Sequence, residues 1–377
     1  MSGGSISGAP PRRPANPVRP AAASKWRRLR LVPLAVGMIS LLAGLWGGLV
    51  WLGLQLPGDM PRLTEFHGAL MISGFLGTVI SLERAVAIGR WWAYAAPVLA
   101  AVGAAALLAG APAVAAGAFL LAGLALTFDS AVVTLRQPAL FTMMLTVAAA
   151  CWVGGTLIWA RLGPATEVTG WWLAFLVLTV AAERLELSRL LSPPRWSELT
   201  FTLAIALILV GMARGELAAR TAPFSAVGLI ATTLWLVRHD IALRTIRLSG
   251  QARFTAACLL AGYFWLGIDG ILLITVPPGT NTLFYDAAVH TITIGFILSM
   301  IFGHAPIILP AVIGLRVRYS AMAYGPLVLL HLSVLLRVVA DLLGQAELRV
   351  ISGPVTVVAL AGYAATLMAA SQNRERA

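Results

Sequence analysis

Asp286-Ala-Ala-Val-His290-Thr-Ile-Thr-Ile-Gly295-Phe-Ile-Leu-Ser-Met-Ile-Phe-Gly-His304-Ala-Pro306 is an apolar run long enough to cross a bilayer, and it carries two of the chain's five histidines. An ionisable side chain inside a membrane span is costly, so each is a functional candidate by default. The two lie 14 residues apart, which on a 3.6-residue turn returns to within about 40° of one helix face and covers about 21 Å of axis. The pattern predicts a membrane helix with one histidine near each surface.

The rest of the chain has the same character. Of its 377 residues, 59% are hydrophobic and 11% charged, against about 25% charged in a globular domain. A formal charge of +12 would suit nucleic acid, but 26 of the 27 basic residues are Arg placed in short loops between apolar runs. That is a membrane-topology pattern, and it points to a lipid bilayer rather than to nucleic acid. Cys151 and Cys258 both fall inside apolar runs and read as packing residues, not a disulfide framework. No phosphate loop, His-Glu-x-x-His motif or dinucleotide glycine fingerprint stands in a suitable context, so nucleotide-driven transport has no support.

Residues 1–24 are rich in Pro, Ala, Ser, Gly and Arg and are expected to be a disordered cytoplasmic tail. One transmembrane domain follows over 25–377. Its apolar runs predict spans at 31–54, 61–86, 93–112, 114–135, 139–160 and 170–190. Six more are predicted at 199–217, 222–239, 253–276, 283–304, 321–343 and 351–370, twelve in all. The fold class is therefore an all-α polytopic membrane protein. Pro61 suits a first helical position, and Trp91, Trp92, Trp171 and Trp172 fall at predicted span ends, where indoles prefer the interface. Glu83-Arg84 recurs as Glu183-Arg184, an echo that admits three four-helix units and that chance repetition explains as well.

Alternate loops differ sharply in charge. Arg62, Arg161, Arg214, Arg220, Arg337 and Arg349 fall on one side, and the other 21 basic residues fall on the side of both termini. That bias places both termini in the cytoplasm of a bacterial inner membrane.

On this topology His67 lies about 9 Å along its helix from the outer end and His290 about 10 Å. Two histidines on different helices at one depth are what the axial ligands of a single b-type haem require. The plainer reading makes each a helix–helix hydrogen-bonding residue. Gly68, Ser73, Gly74 and Gly77 would let a flat macrocycle or another helix approach closely. Asp286, one turn outward of His290, is placed to accept the ring N–H and fix the tautomer. Arg337 is expected to pair with Asp341, or to reach a haem propionate. His331 lies about 18 Å in, deeper than such an iron; a second metal, a distal haem-facing group and plain packing all stay open for it. His304 precedes Pro306 and Pro310 and is expected to mark the end of its helix. His239, between Arg238 and Asp240, is expected in a solvated loop, which disfavours an inner haem. A rival class is a secondary transporter, proton-coupled through Asp269, Asp286 and His331, with the other histidines structural.

At His67-Gly-Ala-Leu-Met-Ile-Ser-Gly-Phe-Leu-Gly-Thr the sequence resembles NnrS-type membrane proteins. Their His followed by a Met and a Gly-Phe pair matches His67, Met71, Gly74 and Phe75. Their later His-led helix closing on Gly-His is similar to His290 through Gly303-His304. The same two helices are also similar to spans two and ten of the heme–copper oxidase catalytic subunit, where a His on each holds the low-spin haem. The likeness covers these two segments and the span count. It implies haem, admits copper, and implies a role in coping with nitric oxide, a small gaseous ligand. Spans six and seven carry no histidine, so the oxidase copper site has no counterpart here.

Overall fold

The computed structural model describes residues 20–58, 61–163, 166–191 and 194–372. The expected tail lies outside the described residues as far as residue 19. From Pro20 the chain is already helical, in keeping with a proline at the first position followed by Ala21, Ala22 and Ala23.

Among the described residues all regular structure is helical. The long helices are α1 (Pro20–Trp51), α2 (His67–Ile88), α3 (Trp91–Leu108), α4 (Pro112–Arg136), α5 (Leu140–Leu162) and α6 (Thr166–Leu191). They continue with α7 (Trp196–Ala213), α8 (Pro223–His239), α9 (Gly250–Thr275), α10 (Thr282–Ile313), α11 (Ala321–Leu343) and α12 (Ala346–Ser371). Among the described residues eleven helices are long and apolar enough to cross a membrane, the first through its part Arg30–Trp51. The shorter α8, with 17 residues, stands where the eighth span is expected.

Burial orders the bundle. The apolar stretch of α6 is 78% buried and forms its centre, whereas those of α1 and α12 are 28% buried and form its edge. In lipid, helices associate through close van der Waals packing rather than through expulsion of water. Small residues therefore sit where large ones cross. A Cβ on Gly77 of α2 would stand 2.6 Å from the Trp152 ring of α5, and Trp172 of α6, expected at an interface, is instead buried and donates to Thr156.

Two departures from regular α-helix lie beside the paired histidines. The expected second span is broken: a short helix, Pro61–Glu65, ends at Phe66 (φ −100°, ψ 16°), and α2 starts at His67. In addition, α2 widens into π-helical turns over Leu70–Leu76, and α10 does so over Thr291–Leu298. Wide turns of this kind concentrate at functional sites. Each begins within one turn of a histidine and rotates everything after it relative to that histidine.

The helix α10 also runs past the place where its end is expected. Pro306 lacks the N–H that would bond the Phe302 carbonyl, and the Tyr363 hydroxyl of α12 donates to that carbonyl instead. The helix continues to Ile313 and closes on Gly314 at φ 76°. There Arg30 of α1 donates to the Ala311 carbonyl at 3.1 Å, serving one of the carbonyls a helix end leaves unpaired.

Candidate functional site

His67 opens α2 immediately after the break at Phe66, and its place is shaped by α1. Its Nδ1 lies 2.6 Å from the Gly44 carbonyl oxygen. A ring nitrogen beside a carbonyl is the N–H donor, which leaves Nε2 with its lone pair. Gly48, one turn along α1, makes the fit: a Cβ there would stand 2.7 Å from His67 Cε1. We predict that Gly48→Val displaces the imidazole while α1 stays helical; far-ultraviolet circular dichroism should be unchanged and any cofactor bound to His67 reduced. Of the small residues on α2, Gly68 has open space before it and lines the same cavity as His67. Gly74 packs on Ser40, and Ser73 accepts from Trp152 at 2.9 Å, so those two serve helix packing.

His290 ends the regular first part of α10. Its Nδ1 lies 2.9 Å from the Asp286 carbonyl oxygen and 3.3 Å from that residue's carboxylate Oδ1. It too therefore carries its proton on Nδ1 and keeps the Nε2 lone pair. The His67 and His290 ring centroids are 6.4 Å apart, with the ring planes 17° from parallel. Two metal–nitrogen bonds of about 2.0 Å laid end to end separate imidazole centroids by about 6 Å. Both rings line one cavity of about 590 Å³, whose walls include Leu45, Leu49, Met71, Phe75 and Ile294.

Charge closes one side of this cavity. Arg337 grips Asp286 with two hydrogen bonds, Nε to Oδ2 at 2.7 Å and Nη2 to Oδ1 at 2.9 Å. The expected pairing of Arg337 with Asp341 is thus not formed. Asp341 faces Arg349 instead, whose Nε stands 2.9 Å from Asp341 Oδ1 while its Nη2 reaches Asp286 Oδ1 at 3.4 Å. The reason is geometric: the α11–α12 hairpin folds Arg349 back over the end of α11, and Arg337 turns across to α10. Arg349 has no place among the sequence candidates. The signal that marks it is a lone Arg in the first turn of an apolar helix.

The other three histidines are engaged elsewhere. Trp265 Nε1 lies 2.9 Å from His331 Nδ1, and Ser299 Oγ lies 3.3 Å from its Nε2. Ser299 itself donates to the Cys258 carbonyl, so the indole donates to Nδ1 and Nε2–H donates to Ser299. Both ring nitrogens of His331 are engaged, and it does not line the cavity that His67 and His290 share. His304 bonds Arg184 through Nε2 at 3.0 Å and the Met300 carbonyl through Nδ1 at 2.6 Å. The eight-residue π segment between His290 and His304 is why the 3.6-residue phase relation does not carry over. His239 ends α8 and is buried against Trp235, not solvated in a loop.

Among the described residues no three or more His, Cys, Asp or Glu side chains stand together as a metal site. A bare structural ion such as zinc wants four protein donors. Two facing imidazoles suit an ion that brings its own equatorial ligands, as haem iron does. The mostly apolar cavity that both rings line agrees with that donor set.

A family described as a domain of unknown function (DUF8744) matches residues 30–372. No curated protein and no solved structure matches the chain.

Proposed function

We propose that this chain, which belongs to the DUF8744 family, holds one b-type haem between His67 and His290 in the outer half of a bacterial inner membrane. The observation that carries the reading is the pair of near-parallel imidazoles 6.4 Å apart, each with Nδ1 tied back to a carbonyl. A haem with two imidazole ligands supplies one-electron transfer. The chain's own residues do the rest. Gly44 and Asp286 hold the rings in one tautomer, Leu45, Leu49 and Phe75 exclude water, and Arg337 fixes Asp286. The likeness of His67, Met71, Gly74 and Phe75 to the NnrS-type motif supports a role in nitric-oxide or respiratory-stress metabolism. The transporter reading has less support: of Asp269, Asp286 and His331, Asp286 alone lines the cavity.

The test is absorbance of the purified protein, oxidised and reduced, with metal analysis alongside. A low-spin b-type spectrum and about one iron per chain is the expected result, copper in place of iron would replace haem by the other metal that the resemblance admits, and a colourless protein made with ample haem would overturn the reading.

On this reading α8 is also a span, giving twelve, with both termini in the cytoplasm as the distribution of arginines requires. A reporter active only in the periplasm should be silent when fused after Ala377, and one active only in the cytoplasm should work. Strong periplasmic activity there would reverse the topology.

A further inference from the structure

We propose that Arg349 and Asp341 form a charge-balanced positioning pair that sets the reduction potential at His290 through Asp286; the inference rests on the haem reading of the cavity. Asp286 Oδ1 is the shared atom. It faces His290 Nδ1 at 3.3 Å, Arg337 Nη2 at 2.9 Å and Arg349 Nη2 at 3.4 Å. Arg337 engages both carboxylate oxygens, so it holds Asp286 in place. Arg349 approaches the oxygen that His290 shares, at 3.4 Å, and it competes there with the imidazole N–H.

The position of Arg349 has no local explanation. A cation in the first turn of a helix opposes the helix dipole, and α12 places Arg349 in its first turn. Asp341, whose side chain is fully buried, lies with Oδ1 2.9 Å from Arg349 Nε, an ion contact without a formed hydrogen bond, and as a carboxylate it balances that charge. With both carboxyl groups ionised and His290 neutral, the four groups Asp286, Asp341, Arg337 and Arg349 sum to zero, so removing any one leaves a net charge beside the ring.

Competition for Oδ1 sets the sign of the effect. A carboxylate that accepts the Nδ1–H of a ligating histidine makes the ring a stronger donor, which favours the oxidised metal. Arg349 weakens that interaction by drawing on Oδ1. Without Arg349, Oδ1 turns fully to the ring and Asp341 adds an unbalanced negative charge, so the potential falls. Without Asp341, Arg349 is unbalanced and draws harder on Oδ1, so the potential rises.

The experiment is a mediated redox titration of the full-length protein in detergent, for wild type, Arg349→Gln, Asp341→Asn, the double variant and Arg349→Lys. Haem content is measured on each. The expected result is opposite shifts for the two single variants, each about tenfold in the oxidised-to-reduced ratio at fixed potential, which for one electron is about 59 mV. The double variant and Arg349→Lys should lie close to wild type with an unchanged low-spin spectrum. A merely structural pair would lower haem content in both single variants and leave the potential of the remaining haem where it was. Unmoved or like-signed potentials with haem retained overturn this proposal alone; no haem in wild type overturns it together with the reading of the cavity.

Discussion

Replacing His67 or His290 by alanine should abolish the low-spin spectrum or convert it to a high-spin one, while His331→Ala should leave it in place. Both rings line one cavity, and among the described residues no third imidazole lines it. Loss of one ligand opens a coordination position that the apolar wall cannot fill. Removing a residue that merely orients a ligating histidine costs roughly 10–100-fold in metal affinity, so removing the ligand itself should exceed that. His331 is different because its two nitrogens serve Trp265 and Ser299. His331→Ala should lower thermal stability through the orphaned indole N–H and leave the spectrum alone. Absorbance and iron content of the three purified variants decide the matter. Retention of the low-spin spectrum in both His67→Ala and His290→Ala would remove the axial pair as an explanation.

Asp286→Ala should be the most destabilising of the charge substitutions. The Asp286 and Arg337 side chains are 8% and 7% exposed, and Arg337 has no other ion partner among the described residues. Deleting one member of a buried pair costs about 3–5 kcal/mol, because the remaining charge stays behind unsolvated. Arg337→Ala should behave alike for the same reason. Replacing both together, Asp286→Leu with Arg337→Met, should recover most of the stability, since an apolar pair of similar volume is often neutral or better. It should still disturb His290, whose Nδ1 loses the carboxylate at 3.3 Å. Thermal unfolding in detergent, followed by the loss of helical signal, reports on wild type and all three variants. If Asp286→Ala melted with wild type, the ion pair would contribute nothing measurable.

The legible and illegible parts of this protein differ in kind. The spans could be read because hydropathy is summed along a continuous run, and the position of each run survives whatever the helices pack against. Even α8, the shortest, stands at 223–239 against an expected 222–239. Equal depth of His67 and His290 could be read for the same reason, since both are counted along one axis from one surface. Helix ends were less legible. Phe66 breaks the second span without a proline or glycine at the break, and Pro306 fails to end α10 because Tyr363 of another helix serves the freed carbonyl.

By itself, then, the chain's sequence determined an all-helical chain of long apolar helices and where along them the ionisable residues fall. These are properties of one segment at a time. Only the tertiary structure decided which side chains meet. Arg337 and Asp341 lie one turn apart on α11, yet Arg337 crosses to Asp286 and Asp341 takes Arg349 from the next helix. Gly44 and Gly48 read as ordinary small residues of α1 until His67 is laid over them. His331 and His290 look alike as lone histidines in apolar helices. Trp265 and Ser299 satisfy both nitrogens of the one, while each imidazole of the His67–His290 pair keeps a free Nε2 beside the cavity. In a bilayer an unpaired polar group is expensive, so each such residue takes whatever partner packing brings within reach, and that partner comes from a helix whose neighbourhood the linear order does not state.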